Sequence, residues 1–364
     1  MVNYNITEKR ILKYIIENGK CLQNDIQKDL ELDKSNLSRF LHKSLDDKIL
    51  IKIKEHNKNI FYFNAYRYYT LIFEWNRYNI DCFLSNLYGD KIESLGVKQL
   101  DFKDIGSLFK IIYDSINNYI NEFKIGKIVC VCFVIHGMVV DQTTVKYIPN
   151  CNWKDINLKS ILENIIDADI LVENYTNLGA FYEKLLYYSE YSSLALVKLK
   201  TGIGGGLIVD NKIYNGHNGA TLEIGHLKLT PDSDIKYVDL LENYFINENL
   251  NSYGFSSSRE FIKSYNAGDK NAIKLYKIFL KNWIFALKNL NAIINPSVLL
   301  LYNDILNKIP HCIFEIKTSF NDLIVSPEII DFSKIKLDDY YKGINFLYLN
   351  KKYDLNIEKI KLLD

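Results

Sequence analysis

Four glycines stand within six residues in the stretch Thr201-Gly202-Ile203-Gly204-Gly205-Gly206. An apolar run at residues 194–197 leads into it, and another at 207–209 follows it. This order predicts a strand, a tight loop whose backbone can approach a ligand closely, and a second strand. Such a loop can cradle a phosphate group, or it can be the glycine-rich corner of a hairpin. The stretch alone does not decide between them, since it lacks the Lys-Ser/Thr pair of a P-loop and no helix follows directly.

Length and charge indicate more than one domain. A chain of 364 residues suggests two or three domains, and 48% hydrophobic residues are enough for a sizeable core. The net charge of +1 argues against a protein that binds polyanions over its whole surface. Residues 1–64 carry 12 Lys and Arg against 9 Asp and Glu, and the remainder carries 33 against 35. Only the N-terminal part is therefore basic.

The six cysteines, at positions 21, 82, 130, 132, 151 and 312, form no CxxC pair and no regular framework. Cys130 and Cys132 lie in an apolar run and are expected to be buried thiols of a strand rather than metal ligands. Free thiols fit a reducing compartment. Neither a signal-like N-terminus nor an apolar run of membrane-spanning length is present in the sequence, so we expect a cytoplasmic protein.

The N-terminal 66 residues are predicted to form a winged helix-turn-helix domain. Thr7 can cap a first helix that ends near Asn18, a short second helix carries Ile26 and Leu30, and Asp33 can cap a third helix from Lys34 to about Asp47. Two short strands at residues 49–54 and 59–63 follow as a wing. Three helices and a two-stranded wing are the order of elements that this fold requires.

The charge of this domain indicates DNA binding. Between Lys34 and Lys58 there are 7 basic and 3 acidic residues, so the positive excess falls on the third helix and the wing. Such an excess neutralises phosphates while polar side chains reach base edges in the major groove. The alternatives are an ordinary solvated face or a winged helix used for protein contacts. The candidate DNA-binding residues are Lys34, Ser35, Asn36, Ser38, Arg39, His42, Lys43, Lys54, His56 and Lys58.

From residue 67 onward the pattern alternates strands and helices. Strands are expected at 69–73, 79–85, 128–135 and 170–172, with helices at 102–123, 158–165 and 177–188 between and after them. This alternation predicts an α/β architecture with functional residues at strand ends. After residue 226 the chain is predicted to be mainly helical, with a strand at 298–302.

A winged helix followed by these motifs resembles the ROK family of sugar kinases and sugar-responsive repressors. The motifs are the glycine-rich stretch, the spaced Glu223-Ile224-Gly225-His226, and shorter matches at residues 134–140, 152–153 and 172–180. The resemblance runs over roughly residues 5 to 350. It implies an actin-like (ribonuclease-H-like), two-lobed α/β domain at residues 67–364, with a first lobe at 67–176 and a second lobe at 177–364 whose C-terminal segment returns to the first.

Three features that the family's kinases use are replaced in this chain. Those kinases open with an Asp-x-Gly-x-Thr phosphate loop, where this chain has Glu74-Trp75-Asn76-Arg77-Tyr78. Their catalytic Asp follows an Asn, where this chain has Asn174-Tyr175, and a phenol is a poor general base at neutral pH. Tyr302-Asn303 replaces the Gly-Gly that meets the adenosine. We therefore expect no catalytic residue, no cofactor and no enzymatic activity, and interpret Gly202, Gly204, Gly205 and Gly206 as a vestigial phosphate loop.

The resemblance also implies a lost metal site and a partly kept sugar pocket. Family members bind zinc with a His and three Cys, but no cysteine lies between residues 151 and 312 here, so no metal is expected. A structural role and a ligand role for His226 remain open. The residues that stand where the family hydrogen-bonds sugar hydroxyls are Asn174, Glu223, His226 and Glu242. Tyr175 is expected to place its ring in this pocket, and Leu222 takes a glycine position.

These observations predict a sugar-responsive repressor that binds operator DNA, senses a carbohydrate with a catalytically inactive kinase-like domain, and forms a homodimer or a higher homo-oligomer. No membrane partner is expected. The first alternative is a sugar kinase with an unusual base. The second is a ligand-independent DNA-binding protein or scaffold whose sensor domain has decayed.

Overall fold

A computed structural model describes residues 4–75, 79–99, 105–122, 127–148, 153–200, 202–227 and 247–361. The chain divides into two compact units. The first comprises Met1–Ser189, His217–Gly219 and Leu337–Asp364, and the second comprises Glu190–Gly216 and Ala220–Lys336. The N-terminal domain is thus part of the first unit, together with the C-terminal segment.

The N-terminal domain is a winged helix-turn-helix, as predicted. Its elements are α1 (Ile6–Asn18), β1 (Cys21–Leu22), α2 (Gln23–Asp29), α3 (Lys34–Asp46), β2 (Leu50–Glu55) and β3 (Lys58–Phe63). The strands form an antiparallel sheet in the order β1-β3-β2. Leu37, Phe40 and Leu41 of α3 are buried, which holds this helix against the other two. The wing turns at His56 and Asn57, both with positive φ, as a two-residue hairpin turn requires.

The caps of these helices are partly as predicted. Asp33 caps α3, since its carboxylate accepts a hydrogen bond from the backbone N–H of Asn36 at 3.0 Å. The prediction that Thr7 caps α1 is wrong. Asn5 accepts from the N–H of Glu8, and the Glu8 carboxylate accepts from the N–H of Asn5, which completes a reciprocal capping box. The Asn-x-x-Glu spacing therefore starts the helix two residues earlier than a cap at Thr7 would.

The rest of the first unit is built on a five-stranded sheet in the order β11-β7-β4-β5-β6. Strand β4 pairs in parallel with β7, which pairs in parallel with β11, and their carboxyl ends meet at one edge. Side chains such as Phe73, Phe133 and Val172 fill the core beside the sheet. The bounds are β4 (Tyr69–Trp75), β5 (Asn79–Asn86), β6 (Lys91–Gln99), α4 (Ile105–Glu122), β7 (Ile128–Ile135), β8 (Met138–Val140), β9 (Thr144–Tyr147), β10 (Lys154–Asn157), α5 (Leu158–Leu162), β11 (Asp169–Asn174) and α6 (Tyr175–Tyr187).

Helix α6 packs against the C-terminal part of the chain within the first unit. A Cβ added to Gly179 would lie 2.2 Å from the Tyr340 ring, and one added to Gly343 would lie 2.6 Å from the Leu178 carbonyl oxygen. Both glycines thus permit close contact between α6 and residues 337–353. The expected lobe boundary lies at residue 176, whereas α6 belongs to the first compact unit, whose first segment ends at Ser189.

The second unit contains another five-stranded sheet, in the order β14-β13-β12-β15-β16. The long helix α9 packs on it through Phe279, Trp283 and Leu287, which are buried in the same cluster as Val197 and Leu301. Its elements are β12 (Leu194–Lys200), β13 (Gly202–Val209), β14 (Lys212–Ile213), α7 (Asn247–Ser252), α8 (Ser258–Asn266), α9 (Lys270–Ile294), β15 (Val298–Tyr302), α10 (Cys312–Ser319) and β16 (Ile329–Phe332). Helix α11 (Gly343–Tyr353) follows in the first unit.

The glycine-rich stretch is a strand, and the prediction of a tight glycine loop is wrong. Gly202, Gly204, Gly205 and Gly206 all lie in β13, where they pair with Lys200, Lys198, Val197 and Leu196 of β12, respectively. A Cβ on Gly205 would lie 2.3 Å from the Leu222 Cβ and 2.7 Å from the Leu222 carbonyl oxygen. Glycine is needed at this position because another backbone passes close to the strand.

Within the described residues, no helix is both long enough and apolar enough to cross a membrane.

Candidate functional site

The predicted DNA-binding residues lie together on one domain. Seven stand on α3, Lys54 on β2, His56 in the turn of the wing and Lys58 on β3. Nine of the ten are exposed and Ser38 is half-buried. A depression of about 540 Å³ separates the first turn of α1 from Asn36 and Arg39. The exposed face of α3 can therefore present an amide and a guanidinium to a ligand.

Two of these residues already have partners inside the domain. The Lys43 ammonium lies 3.0 Å from the Glu8 carboxylate and 5.3 Å from the centre of the Tyr4 ring. The Ser35 hydroxyl donates to Asp33 at 2.6 Å, and together with the Asn36 N–H it lowers the pKa of the Asp33 carboxyl. Lys43 and Ser35 thus also fix the ends of α1 and α3.

Asn174 stands at the carboxyl end of β11, where it caps α6. Its side-chain oxygen accepts from the N–H groups of Thr176 at 2.7 Å and Asn177 at 3.2 Å, and its amide donates to the Gly137 carbonyl at 2.8 Å. This residue joins the start of α6 to the end of β7. The predicted sugar ligand is therefore first a structural cap, and a hydroxyl would have to share its amide.

We expect Asn174→Ala to destabilise the first unit by about 1–2 kcal/mol, because the start of α6 loses its cap. Asn174→Asp keeps the acceptor for the two N–H groups and should cost less. Urea unfolding of the two variants beside the unaltered chain measures the difference. Equal stability of all three proteins would contradict the capping role.

Tyr175, which the resemblance implies stands in place of the family's catalytic Asp, donates its hydroxyl to the Leu337 carbonyl at 2.5 Å. Its ring is 5% exposed and lies 4.6 Å from the His136 ring and 5.2 Å from the Tyr340 ring, centre to centre. The ring therefore packs inside the first unit, which corrects the expectation that it projects into a pocket. A buried phenol that donates to a carbonyl is poorly placed to take a proton from a substrate.

Of the five residues that stand where the resemblance places the phosphate loop, the structure describes Glu74 and Trp75. Trp75 is 3% exposed and packs edge-on against Trp153 at 4.7 Å between ring centres. Burial, together with Asp81 and Asp338, raises the pKa of Glu74 to about 7. Asn76, Arg77 and Tyr78 lie outside the described residues. A bulky indole and a carboxylate at this strand end do not suit an anionic phosphate.

Tyr302 and Asn303 follow β15 in the second unit. The buried Asn303 donates to the Leu199 carbonyl at 2.9 Å and accepts from the N–H groups of Ile305 and Leu306 at 2.9 and 2.8 Å. The Tyr302 hydroxyl donates to Asp304 at 2.6 Å. Asn303 thus joins β12 to the turn after β15.

Glu223 and His226 are the two predicted sugar ligands that the second unit brings together. Glu223 directly precedes a short 3₁₀ helix (Ile224–His226), and His226 is the last residue of that helix. The His226 Nε2 atom lies 3.8 Å from the Glu223 carboxylate. Burial raises the pKa of Glu223, and His226 opposes this shift. Leu222 precedes them with φ of +56°, a conformation that favours glycine. Carboxylate and imidazole side by side offer both an acceptor and a donor to a hydroxyl group.

The remaining predicted residues are not assembled with this pair in a single unit. Asn174 belongs to the first unit. Glu242 and residues 234–241, where the family places its zinc-binding cysteines, lie outside the described residues. In the part of the chain that is described, no three His, Cys, Asp or Glu side chains cluster closely enough to hold a metal ion.

The residues that fix these sites from a distance could not be predicted from the sequence. Tyr175 donates to Leu337, and Asn303 donates to Leu199. Neither leucine carries a recognisable sequence signal, because each contributes only its backbone carbonyl. The Asn-x-x-Glu spacing at Asn5 and Glu8 was a readable signal for the start of α1. It fixes the helix that carries Glu8 toward Lys43.

Known proteins resemble this chain over most of its length. A family model described as "ROK family" matches residues 105–337. A protein of Staphylococcus xylosus named "Xylose repressor" is 25% identical over 334 residues, which are 87% of each chain. A protein of Streptomyces coelicolor named "Glucokinase" is 34% identical over 124 residues, covering 33% of this chain and 39% of that one.

Among solved structures, a ROK family transcriptional regulator described as a homologue of the Escherichia coli MLC protein aligns with a TM-score of 0.74. The two sequences are 16% identical, and the match covers 95% of this chain and 98% of the regulator's chain. This likeness confirms the predicted fold class, including the N-terminal domain that lies outside the family model. Because that model spans more than half of the sequence, the chain belongs to the ROK family.

Proposed function

We propose that this protein is a sugar-responsive transcriptional repressor that binds operator DNA and does not phosphorylate its sugar. The observation that carries the proposal is the burial of Tyr175 and its hydrogen bond to the Leu337 carbonyl. The residue at the family's general-base position is a buried phenol bonded to a backbone carbonyl, in a chain whose N-terminal domain presents a basic helix. Loss of the base with retention of the DNA-binding fold favours sensing over catalysis.

Phosphoryl transfer depends mostly on positioned phosphates and a placed base. In this chain the buried Trp75 packs against Trp153 where the resemblance places the first phosphate-binding loop, and Asn303 donates to the Leu199 carbonyl of β12 where it implies an adenosine contact. Each of these changes removes a contact that a nucleotide would need. They support an inactive kinase-like domain, and no nucleotide is required for the proposed function.

The effector is proposed to be a neutral sugar. Asn174, Glu223, His226 and Glu242 combine amide, carboxylate and imidazole groups, and this mixture suits hydroxyls, which both donate and accept. The Staphylococcus xylosus relative is named for xylose, so D-xylose is the first sugar to test. A panel of pentoses and hexoses should accompany it, since the four residues do not by themselves distinguish ring substituents.

DNA binding is assigned to residues 1–66 and sugar binding to residues 67–364. We propose a homodimer in the cytoplasm, because paired recognition helices fit operator half-sites about one helical turn apart. A sugar releases the DNA if it binds more tightly to the state whose helices do not fit that spacing. The oligomeric state can be measured by sedimentation of the full chain with and without operator.

Arg39→Ala should weaken binding to the operator about tenfold, because Arg39 is exposed on α3 beside Asn36 and can reach a base edge. Lys28→Ala, an exposed lysine on α2, is the matched control and should change the affinity less than about threefold. Fluorescence anisotropy with the chain's upstream DNA at two salt concentrations measures both. An unchanged affinity for Arg39→Ala would remove α3 as the recognition helix.

A sugar kinase is the second candidate, supported by the Streptomyces coelicolor relative named "Glucokinase". It predicts sugar-dependent ADP release in a coupled assay, whereas the proposed repressor gives a flat trace with every sugar. A decayed sensor is the third. A working pocket should raise the melting temperature at saturating sugar, and the decayed sensor predicts no shift.

A further inference from the structure

The C-terminal segment, residues 354–361, lies against the first helix of the DNA-binding domain. The Lys9 ammonium is 2.6 Å from the Asp354 carboxylate, and the Lys13 ammonium is 3.3 Å from the Glu358 carboxylate. One turn further on, the Glu17 carboxylate accepts from the backbone N–H of Glu358 at 2.8 Å. Three successive turns of α1 thus contact this segment.

Apolar side chains anchor the same segment to the rest of the first unit. Leu355, Ile357 and Ile360 are 5%, 1% and 8% exposed. The Ile357 N–H donates to Asn350 of α11 at 2.6 Å. Although it has no helix or strand of its own, the segment is fixed along its length, and its charged residues face the DNA-binding domain.

The segment also binds the end of α6. The Ile360 N–H donates to the Leu185 carbonyl at 3.0 Å. The neighbouring Lys184 is fully buried, and its ammonium donates to the Ser189 carbonyl at 3.1 Å. Burial lowers the pKa of Lys184, and the charges of Glu358 and Glu17 oppose this shift. A buried cation at the end of α6 therefore interacts with a carboxylate of α1 and with one of the C-terminal segment.

A row of aromatic rings makes a second connection between α6 and the DNA-binding domain. Tyr182 of α6 stacks on Phe346 of α11 at 5.9 Å between ring centres, Phe346 lies 6.1 Å from Tyr88, and Tyr88 lies 5.7 Å from Phe63 of the wing. Rigid rings in contact transmit a shift of one element to the next, since packed cores deform little.

The two ends of α6 are thereby tied to different parts of the proposed function. Its N-cap residue, Asn174, is a candidate sugar ligand, and its last turn meets the C-terminal segment. The helix has 13 residues and is about 20 Å long. A small displacement at its start can reach α1 because the helix moves as one rigid body.

We infer that residues 354–361 position the DNA-binding domain and couple it to α6, with Glu358 as the positioning residue that joins Lys13 to this relay. The inference rests on the proposed function, in which a sugar changes operator affinity. Glu358 touches neither DNA nor sugar. Its contribution is the orientation of α1, and with it of α3, relative to α6.

The test is a charge swap in the full-length protein. The wild-type ratio of operator dissociation constants with and without saturating sugar is expected to lie between about 5 and 150. Glu358→Lys places a cation beside Lys13, and the ratio should fall to within about twofold of 1. The double variant Lys13→Glu/Glu358→Lys restores two opposite charges at these positions. The logarithm of its ratio should be at least half of the wild-type logarithm. Glu328→Lys, an exposed residue of the second unit, should leave it unchanged.

A second readout separates this inference from the proposed function. Without sugar, Glu358→Lys should raise amide exchange both in α1 near Glu17 and in the last turn of α6, and the swapped pair should reverse both increases. Increases confined to residues 354–361 would overturn the coupling, as would a single variant with the wild-type ratio. If no sugar affects wild-type operator binding, the proposed effector role fails, and amide exchange alone decides the coupling.

Discussion

Gly205→Ala should destabilise the second unit by about 3 kcal/mol. Alanine within a strand is ordinarily favoured over glycine by about 0.5–1 kcal/mol, so the expected loss has the opposite sign. The reason is the 2.3 Å that would separate the new methyl group from the Leu222 Cβ, which forces the segment before Glu223 away from β13. Amide exchange in β12 and β13, followed by mass spectrometry, locates the loss in this unit.

Two variants act as controls for this prediction. Val209→Ala alters an exposed residue of the same strand and should change stability by less than about 0.5 kcal/mol. Leu222→Gly removes the opposing side chain and suits the positive φ at that position, so it should recover part of the loss in the double variant. A stabilising Gly205→Ala would show that the stretch is an open loop, as a phosphate-binding site requires.

Glu74→Gln should remove a pH dependence of about 2–3 kcal/mol from the stability of the first unit. Burial and the carboxylates of Asp81 and Asp338 raise the pKa of Glu74 to about 7, so the folded state holds its proton more tightly than the unfolded chain does. Stability therefore falls as the pH rises from the ordinary glutamate value toward 7 and is level above it. Gln stays neutral at every pH. The gain in the free energy of unfolding from Glu74→Gln should therefore be small at pH 4.5 and reach its full size at pH 8.

Urea unfolding at these two pH values, in a Trp283→Phe background, measures the difference. Trp75 and Trp153, which both lie in the first unit, then report its unfolding alone. Glu163→Gln, at an exposed position of the same unit, is the control and should keep the pH dependence of the reference protein. If Glu74→Gln and the reference protein lose stability in parallel from pH 4.5 to 8, the carboxyl of Glu74 is already charged at the lower value.

Local features of the fold were readable from the sequence. Asp33 caps α3 as predicted, and Asn295, which precedes Pro296, ends α9 with φ of +46°. Both depend on residues within one turn of each other. The alternation of strands and helices likewise predicted four of the five strands in the main sheet of the first unit, but not β6, none of whose residues is buried.

The site could be predicted only in part, because its decisive contacts are distant in sequence. Gly205 lies in a strand against Leu222, and no nearby residue distinguishes that strand from a loop. Tyr175 could be recognised as a missing base, but its acceptor on Leu337 is 162 residues away. Glu358 has no motif, and its contacts with α1 depend on the return of the C-terminal segment to the first unit.

The most direct measurement is the affinity of the full-length protein for its upstream DNA, titrated with D-xylose and a panel of other sugars at one salt concentration. The proposed repressor predicts that at least one sugar weakens specific binding about fivefold or more, while binding to unrelated DNA stays constant. The account is contradicted if the protein binds the upstream DNA no better than unrelated DNA, or if no sugar changes the specific affinity.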